Sequence, residues 1–177
     1  MNLVRTTCAL ALLLGAVALA GCWGGSAPAP AGEQAAAPTP AAAPTPGPLP
    51  DSGYRAQLTL PDAPTRMRAG QKQTLNVKVK NTSDVKWIMP HGTEGNKYVV
   101  AVMDSWLDRE GVLLTNMDGR YGIQEEVPPG AEVELPLLVT APGKPGDYIL
   151  ELDMVQEQVA FFKDKGSQPL RVNVKVE

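Results

Sequence analysis

Cysteine and histidine are scarce in this 177-residue chain, which limits the chemistry that it can perform. The two cysteines, Cys8 and Cys22, lie near the N-terminus, so the rest of the chain has no thiol for a disulfide, a metal or a nucleophile. The single histidine, His91, lies in the glycine-rich segment MPHGTEGN, which has no nucleophile-elbow motif. We therefore expect no catalytic residues.

Neither sign of charge is in strong excess. The chain carries 16 basic and 19 acidic residues, a net charge of −3, and it has no basic stripe. Proteins that bind nucleic acid usually show such an excess or such a stripe, so we expect no nucleic-acid partner. The sequence also has no glycine-rich phosphate loop and no cluster of metal-ligating residues, so we expect no cofactor.

Long apolar runs are absent apart from one segment near the N-terminus. Residues 8–20 are uncharged and apolar, and they follow Arg5. This run is shorter than the ~20 residues that a membrane-spanning helix needs, and it fits the apolar part of a secretory signal peptide. We therefore predict a signal peptide over residues 1–21 and an extracytoplasmic location.

The segment LAGC, residues 19–22, resembles the bacterial lipobox. The resemblance implies cleavage before Cys22, a diacylglyceryl thioether on Cys22 and, in many hosts, a further acyl chain such as palmitate on the new amine. The chain would then be a lipoprotein anchored to the bacterial cell membrane. Trp23 stands where an Asp would indicate retention in the inner membrane, which favours the outer membrane if the host has one. A conventional signal peptide with a chance cysteine is the alternative.

Residues 23–53 contain eight prolines and only two charged residues, Glu33 and Asp51. Apart from alanine, they offer too few apolar side chains to form a core. We predict that residues 22–53 comprise the lipidated cysteine and a disordered Ala/Pro-rich tether, which can extend on the order of 90 Å.

From Tyr54 onward the hydrophobic pattern alternates with a period of two. The candidate strands are residues 54–60, 73–81, 97–108, 112–117, 131–139, 148–154 and 169–176, of which 97–108 is a longer, more buried run. Turn sequences such as DREG and VPPG separate them. This pattern predicts an all-β chain, a single seven-stranded immunoglobulin-like antiparallel β-sandwich over residues 54–177. Pro136 interrupts one run, which predicts an edge strand or a bulge there.

Three segments resemble a bacterial immunoglobulin-like domain family. They are VKVKNTSDVKW (77–87), the half that runs from VPPG to DMVQEQVAFF (127–162), and GSQPLRVNVKV (166–176). The resemblance implies a non-catalytic accessory module of exported or envelope proteins, found also beside glycosyltransferase domains. Members of the family often carry Trp-Phe where this chain has Phe161-Phe162.

Two further aromatic residues are assigned structural roles. Tyr148 follows a Pro-Gly turn and opens the penultimate strand. In immunoglobulin-like sandwiches a tyrosine at such a corner sends its hydroxyl back to the upstream backbone, and we predict this role for Tyr148. Trp106 ends an apolar run, and we place it in the core.

Phe161 and Phe162 are the only phenylalanines, and they are adjacent. Adjacent side chains point apart in a strand and in a helical turn, so one should be buried and the other partly exposed. A helical turn after Val155 would place Phe162 inside, and we therefore predict Phe162 in the core and Phe161 at the surface. The candidate binding surface comprises Trp87, His91, Tyr121, Glu157 and Phe161.

The expected function is non-covalent binding of an envelope protein or a polysaccharide by a lipid-anchored module that is not an enzyme. One alternative is a copper-binding or carrier protein. Met89, His91, Met103 and Met117 could ligate copper, because thioether and imidazole ligands suit that metal.

The other alternative is a small envelope enzyme. Paired carboxylates could serve glycoside hydrolysis, and the candidate pairs are Asp153 with Glu157 and Glu125 with Glu126. Asp153 should lie on the outward face of its strand, where such carboxylates are usually solvated.

Overall fold

The computed structural model describes residues 46–90 and 94–177, without the side chains of residues 94 and 116–118. Over this part the chain folds as an all-β immunoglobulin-like sandwich, as the alternating pattern predicts. None of its helices among the described residues is long and apolar enough to cross a membrane. The predicted signal peptide, Cys22 and most of the predicted tether lie outside the described residues.

Nine strands are present in the described residues. They are β1 (Ala56–Thr59), β2 (Arg66–Met67), β3 (Lys72–Asn81), β4 (Val100–Leu107), β5 (Leu113–Gly122), β6 (Glu132–Thr140), β7 (Gly146–Gln156), β8 (Ala160–Phe161) and β9 (Leu170–Val176). Seven of them correspond to the predicted runs, whereas the two-residue strands β2 and β8 are additional.

The strands form two sheets. β1, β3 and β6 form a three-stranded sheet, and the others form a six-stranded sheet in the order β2-β9-β7-β4-β5, with β8 also paired to β7. β2 pairs with β9 in parallel, so the larger sheet is not wholly antiparallel. Pro136 lies on β6, at an edge of the three-stranded sheet, which confirms the prediction of an edge position.

Phe162 fills the core at one end of the sandwich. It is 0 % exposed and meets Tyr54 and Trp87 edge to face, at ring-centroid distances of 5.1 and 5.5 Å. Its N–H donates to the Met154 carbonyl oxygen at 2.9 Å. The predicted burial is confirmed, but the helical turn is wrong because residues 160–161 form strand β8 instead.

Phe161 lies on the opposite, outward face of the six-stranded sheet. Its half-buried side chain packs against Ala101, Met103 and Val155, which form a small apolar cluster separate from the main core. The Lys163 ammonium lies 5.7 Å from the centre of the Phe161 ring. The division of the two phenylalanines between core and surface is therefore confirmed.

Tyr148 forms the predicted corner. Its hydroxyl donates to the Lys144 carbonyl oxygen at 2.9 Å, four residues upstream. The ring covers Gly146 so closely that a Cβ there would lie 3.2 Å from it, which favours glycine at this position. Trp106 is fully buried and meets Tyr148 edge to face at 6.3 Å, so its predicted place in the core is also confirmed.

The pairing of β4 with β5 is interrupted between Met103 and Ser105. There β5 approaches β6, and a Cβ on Gly119 would collide with the Leu138 carbonyl oxygen. Beyond the interruption Arg120 pairs with Met103. Because directly opposed residues share a face of the sheet, Arg120 emerges on the outward face with the Phe161 cluster.

The packed structure begins before Tyr54. The Gln156 side-chain oxygen accepts hydrogen bonds from the Leu49 N–H at 2.9 Å and the Tyr54 hydroxyl at 2.7 Å. The Gln156 amide nitrogen donates to the Gly47 carbonyl oxygen at 3.0 Å. Leu49 also packs against the core, so the last residues of the predicted tether are held on the sandwich.

The two phenylalanines should differ sharply in their contribution to stability. Phe162→Ala removes a fully buried ring and should lower the free energy of unfolding by about 3–5 kcal/mol. Phe161→Ala removes a half-buried ring from a small cluster, and about 1 kcal/mol is expected. Urea unfolding of both variants checks this, and equal losses would contradict the division.

Candidate functional site: a cleft beside Glu157

Strand β7 sorts its side chains onto two faces. Leu150, Leu152 and Met154 point into the core between the sheets. From Glu151 onward the alternate residues lie on the outward face of the six-stranded sheet, and these four are all buried. They are Glu151, Asp153, Val155 and, one residue beyond the end of the strand, Glu157.

Glu157 is the outward residue whose partners are incomplete. Its Oε2 accepts a hydrogen bond from Arg120 Nη1 at 2.9 Å, whereas its Oε1 is buried and has no hydrogen-bond partner. Glu157 is only 7 % exposed. Burial raises the pKa of this carboxyl, and the neighbouring Arg120 guanidinium partly offsets that rise.

Two hollows flank this ion pair, and both are lined by Arg120 and Glu157. The first has a volume of about 390 Å³ and the second about 540 Å³. The first is completed by Met89, Pro90, Asn96, Val99, Ala101, Gly122, Ile123 and Gln124. The second is completed by Val155, Gln156, Gln158, Val159, Ala160, Phe161 and Asp164. We call the two hollows together the Glu157 cleft.

The backbone around the cleft is held in unfavourable conformations. Asn96, Tyr98 and Gln158 all have positive φ angles, of 59°, 70° and 60°. Hydrogen bonds maintain them: the Tyr98 N–H donates to the Glu157 carbonyl oxygen at 3.0 Å, and the Gln158 amide donates to the Gly95 carbonyl oxygen at 2.8 Å. Non-glycine residues in this region are uncommon, and such strain concentrates at functional sites.

Glu151 lies farther along the same face, in a fully paired environment. Lys163 Nζ and Arg171 Nη2 each approach it at 2.7 Å. Burial raises the pKa of Glu151, but the hydrogen bonds from Lys163 and Arg171 outweigh that effect and leave it below its usual value. This arrangement ties β9 and the turn after β8 to β7, and we regard it as structural.

Asp153 corrects a prediction made from the sequence. It lies on the outward face as expected, but it is 2 % exposed instead of solvated. The Met154 N–H donates to its Oδ1 at 2.8 Å, and the Lys163 N–H donates to its Oδ2 at 3.3 Å. Burial raises the pKa of Asp153 to about 6 despite these bonds.

Only part of the predicted binding surface comes together in the cleft. Glu157 and Phe161 line it. Trp87 was wrongly placed at the surface, because it is 0 % exposed and its Nε1 donates to the Gly53 carbonyl oxygen at 2.9 Å. Tyr121 packs against the main core instead of facing the cleft, and His91 lies outside the described residues.

The cleft also contains residues that the sequence pattern missed. Apart from the carboxylates, its polar side chains are those of Asn96, Arg120, Gln124, Gln156 and Gln158. The predicted run that corresponds to β5 ended at residue 117, so the pattern was not followed as far as Arg120. An arginine three residues beyond the end of a predicted strand was the available signal.

Two of the four candidate copper ligands can be located in the structure. Met103 is buried beneath Phe161 in the outward cluster, and Met89 is half-buried at the first hollow. His91 and the Met117 side chain are not among the described parts of the chain. Within the described residues, no group of three His, Cys, Asp or Glu side chains could hold a metal ion.

A further hollow, of about 450 Å³, lies near the tyrosine corner. Its charged pair, Arg109 and Asp147, is 3.8 Å apart, and both side chains are more than half exposed. The Tyr148 hydroxyl is already bonded to Lys144. This hollow is therefore a weaker candidate for a binding site than the Glu157 cleft, because its ion pair is exposed and its tyrosine hydroxyl is already bonded.

No family model and no curated protein sequence matches this chain. Similar solved structures include a β-glucosidase from Listeria innocua in complex with glucose, 13% identical with a TM-score of 0.44, where the match covers 69% of this chain and 16% of that one. The CARDB domain of the PF1109 protein from Pyrococcus furiosus, in complex with di-metal ions, is 14% identical with a TM-score of 0.41, over 69% of this chain and 90% of that one. The sporulation control protein Spo0M from Bacillus subtilis is 11% identical with a TM-score of 0.40, over 70% and 49%. The chain thus spans a small part of the glucosidase, and these likenesses concern the fold alone.

Asp153 should make the folded chain less stable as the pH rises. Between its ordinary pKa of 3.8 and its folded pKa of about 6, the folded state holds this proton more tightly than the unfolded state, so the free energy of unfolding falls with increasing pH. Relative to Asp153→Asn, the wild type should lose on the order of 3 kcal/mol across this interval and nothing more above it. Urea unfolding of both proteins from pH 4 to 7 checks this. A difference that is independent of pH would contradict it.

Proposed function

We propose that the chain is an extracytoplasmic lipoprotein, anchored to the cell membrane through Cys22, whose sandwich is a non-catalytic module that binds an envelope protein or a polysaccharide. The signal-peptide pattern over residues 1–21 and the LAGC segment support the anchor. The Ala/Pro-rich tether would let the sandwich reach ligands at a distance from the membrane.

One observation carries the binding role: the buried, unpartnered Oε1 of Glu157 in an open cleft. A buried acceptor without a hydrogen bond is costly, and a ligand that donates to it would recover that cost. Arg120 holds the other oxygen in place before the ligand arrives. Such a pre-formed arrangement suits non-covalent recognition, in which little ordering remains to be done on binding.

The anchor can be tested with labelled fatty acid in the host. Cys22→Ser should abolish the incorporation of labelled palmitate, because the thioether site and the cleavage that exposes the amine are both lost. Cys8→Ser is the matched control and should leave labelling unchanged, since Cys8 is removed with the signal peptide. Labelling that persists in Cys22→Ser would refute the anchor.

The binding role can be tested on isolated host envelopes adsorbed to a surface, with the full-length lipoprotein kept in detergent micelles. The wild type should bind saturably. Glu157→Arg should bind at least tenfold more weakly, because it places a second cation against Arg120. Glu134→Arg, at an exposed position on the three-stranded sheet, is the control and should bind like the wild type. Binding by Glu157→Arg that equals the wild type would remove the cleft from the proposal.

A further inference from the structure

The chemistry of the Glu157 cleft narrows the class of ligand, and this inference rests on the proposed binding function. The first requirement comes from Glu157 Oε1, which is buried and has no hydrogen-bond partner. A carboxylate oxygen can only accept, so the ligand must present a hydrogen-bond donor there. The donor could be charged, as in an ammonium group, or neutral, as in a hydroxyl or an amide.

The charge balance favours a neutral donor. Arg120 already lies 2.9 Å from the other oxygen of Glu157, so the pair has no net charge. Among the described residues that line the first hollow, no other side chain is ionised at neutral pH. A cationic ligand would have to compete with Arg120 and would bring an uncompensated charge into a largely buried position.

The polar side chains of the first hollow are planar groups that can bond to hydroxyls. Asn96 and Gln124 carry amides, and Arg120 and Glu157 carry a guanidinium and a carboxylate. A hydroxyl both donates and accepts, so one ligand with several neighbouring hydroxyls could meet all four kinds of group. The volume of about 390 Å³ falls within the range of small-ligand sites.

The second hollow supplies an apolar wall on the other side of the same ion pair. Phe161 is half-buried there, Val159 is 39 % exposed, and the buried Val155 also lines it. Asp164 adds one charge at the exposed rim. Aromatic and aliphatic walls of this kind accept the C–H faces of a ring while polar groups fix its hydroxyl edge.

A sugar ring has both a hydroxyl edge and a C–H face. The polar first hollow suits the hydroxyl edge, and the apolar wall of the second hollow suits the C–H face. We therefore infer that the Glu157 cleft binds a neutral polysaccharide, with a ligand hydroxyl donating to Glu157 Oε1 and a sugar face against Phe161 and Val159. The neutral ion pair makes this binding insensitive to salt.

The inference can be tested on the same adsorbed host envelopes, treated with protease or with periodate, which cleaves vicinal diols. Wild-type lipoprotein in detergent micelles should bind protease-treated envelopes as before and should lose binding after periodate treatment. Binding should change less than twofold between low salt and about 0.5 M salt, since no net charge is neutralised.

Variants of the cleft give a second readout on protease-treated envelopes. Glu157→Gln should weaken binding about tenfold, because a neutral acceptor replaces a charged one. Phe161→Ala and Val159→Ala should also weaken binding, and circular dichroism melting confirms that each variant is folded. The matched controls are Glu134→Gln and Leu138→Ala on the three-stranded sheet, both exposed, and both should bind like the wild type.

Several outcomes would overturn the inference. If binding is lost after protease treatment but persists after periodate treatment, the partner is a protein, and the proposed binding function would still stand. Steep weakening by salt would identify a charged ligand. Cleft variants that bind as tightly as the wild type would place the polysaccharide elsewhere. Absence of binding to untreated envelopes would refute the proposed function itself.

Discussion

The inward packing of Phe162 between Tyr54 and Trp87 determines how this end of the sandwich is built. To reach that position, the chain must leave β7, reverse and bring the Phe162 N–H back to the Met154 carbonyl oxygen. The reversal places Glu157 at its start and Phe161 on the opposite face from Phe162. Closing the core in this way therefore also positions Glu157 and Phe161 beside the cleft.

Three buried carboxylates on the outward face of the six-stranded sheet differ in whether they can receive a ligand. Glu151 is fully engaged by two basic side chains, which lowers its pKa despite burial. Asp153 accepts only backbone hydrogen bonds, and its pKa is raised. Glu157 has one guanidinium partner and one buried oxygen without a hydrogen-bond partner, beside the two hollows. Burial is common to all three, so the partners, and not the depth, distinguish the residue that can receive a ligand.

The apolar pattern was sufficient to predict the seven principal strands. Most of them alternate because they bury one face between the sheets, whereas β4 is a longer apolar run because it is buried on both faces. The Tyr148 corner followed from a Pro-Gly turn, and the opposed directions of Phe161 and Phe162 followed from their adjacency. Alternation failed where long-range packing decides. Trp87 follows a strand end and could point either way, and long-range contacts with Gly53, Val127 and Phe162 bring it inside. The irregular pairing of β5 likewise prevented the prediction of Arg120. A register shift changes which residues of a strand face outward, so simple alternation no longer applies beyond it.

Gln156, the last residue of β7, holds the chain that precedes the sandwich against the sheet. Its side chain bonds to Gly47 and Leu49 on one side and to Tyr98 on the other, next to the strained segment that borders the cleft. Within the described residues, these hydrogen bonds and the packing of Leu49 against the core resist a pull from the N-terminal side of the chain. Gln156 also lines the second hollow, so tension on this segment of the chain acts directly on a residue that borders the cleft.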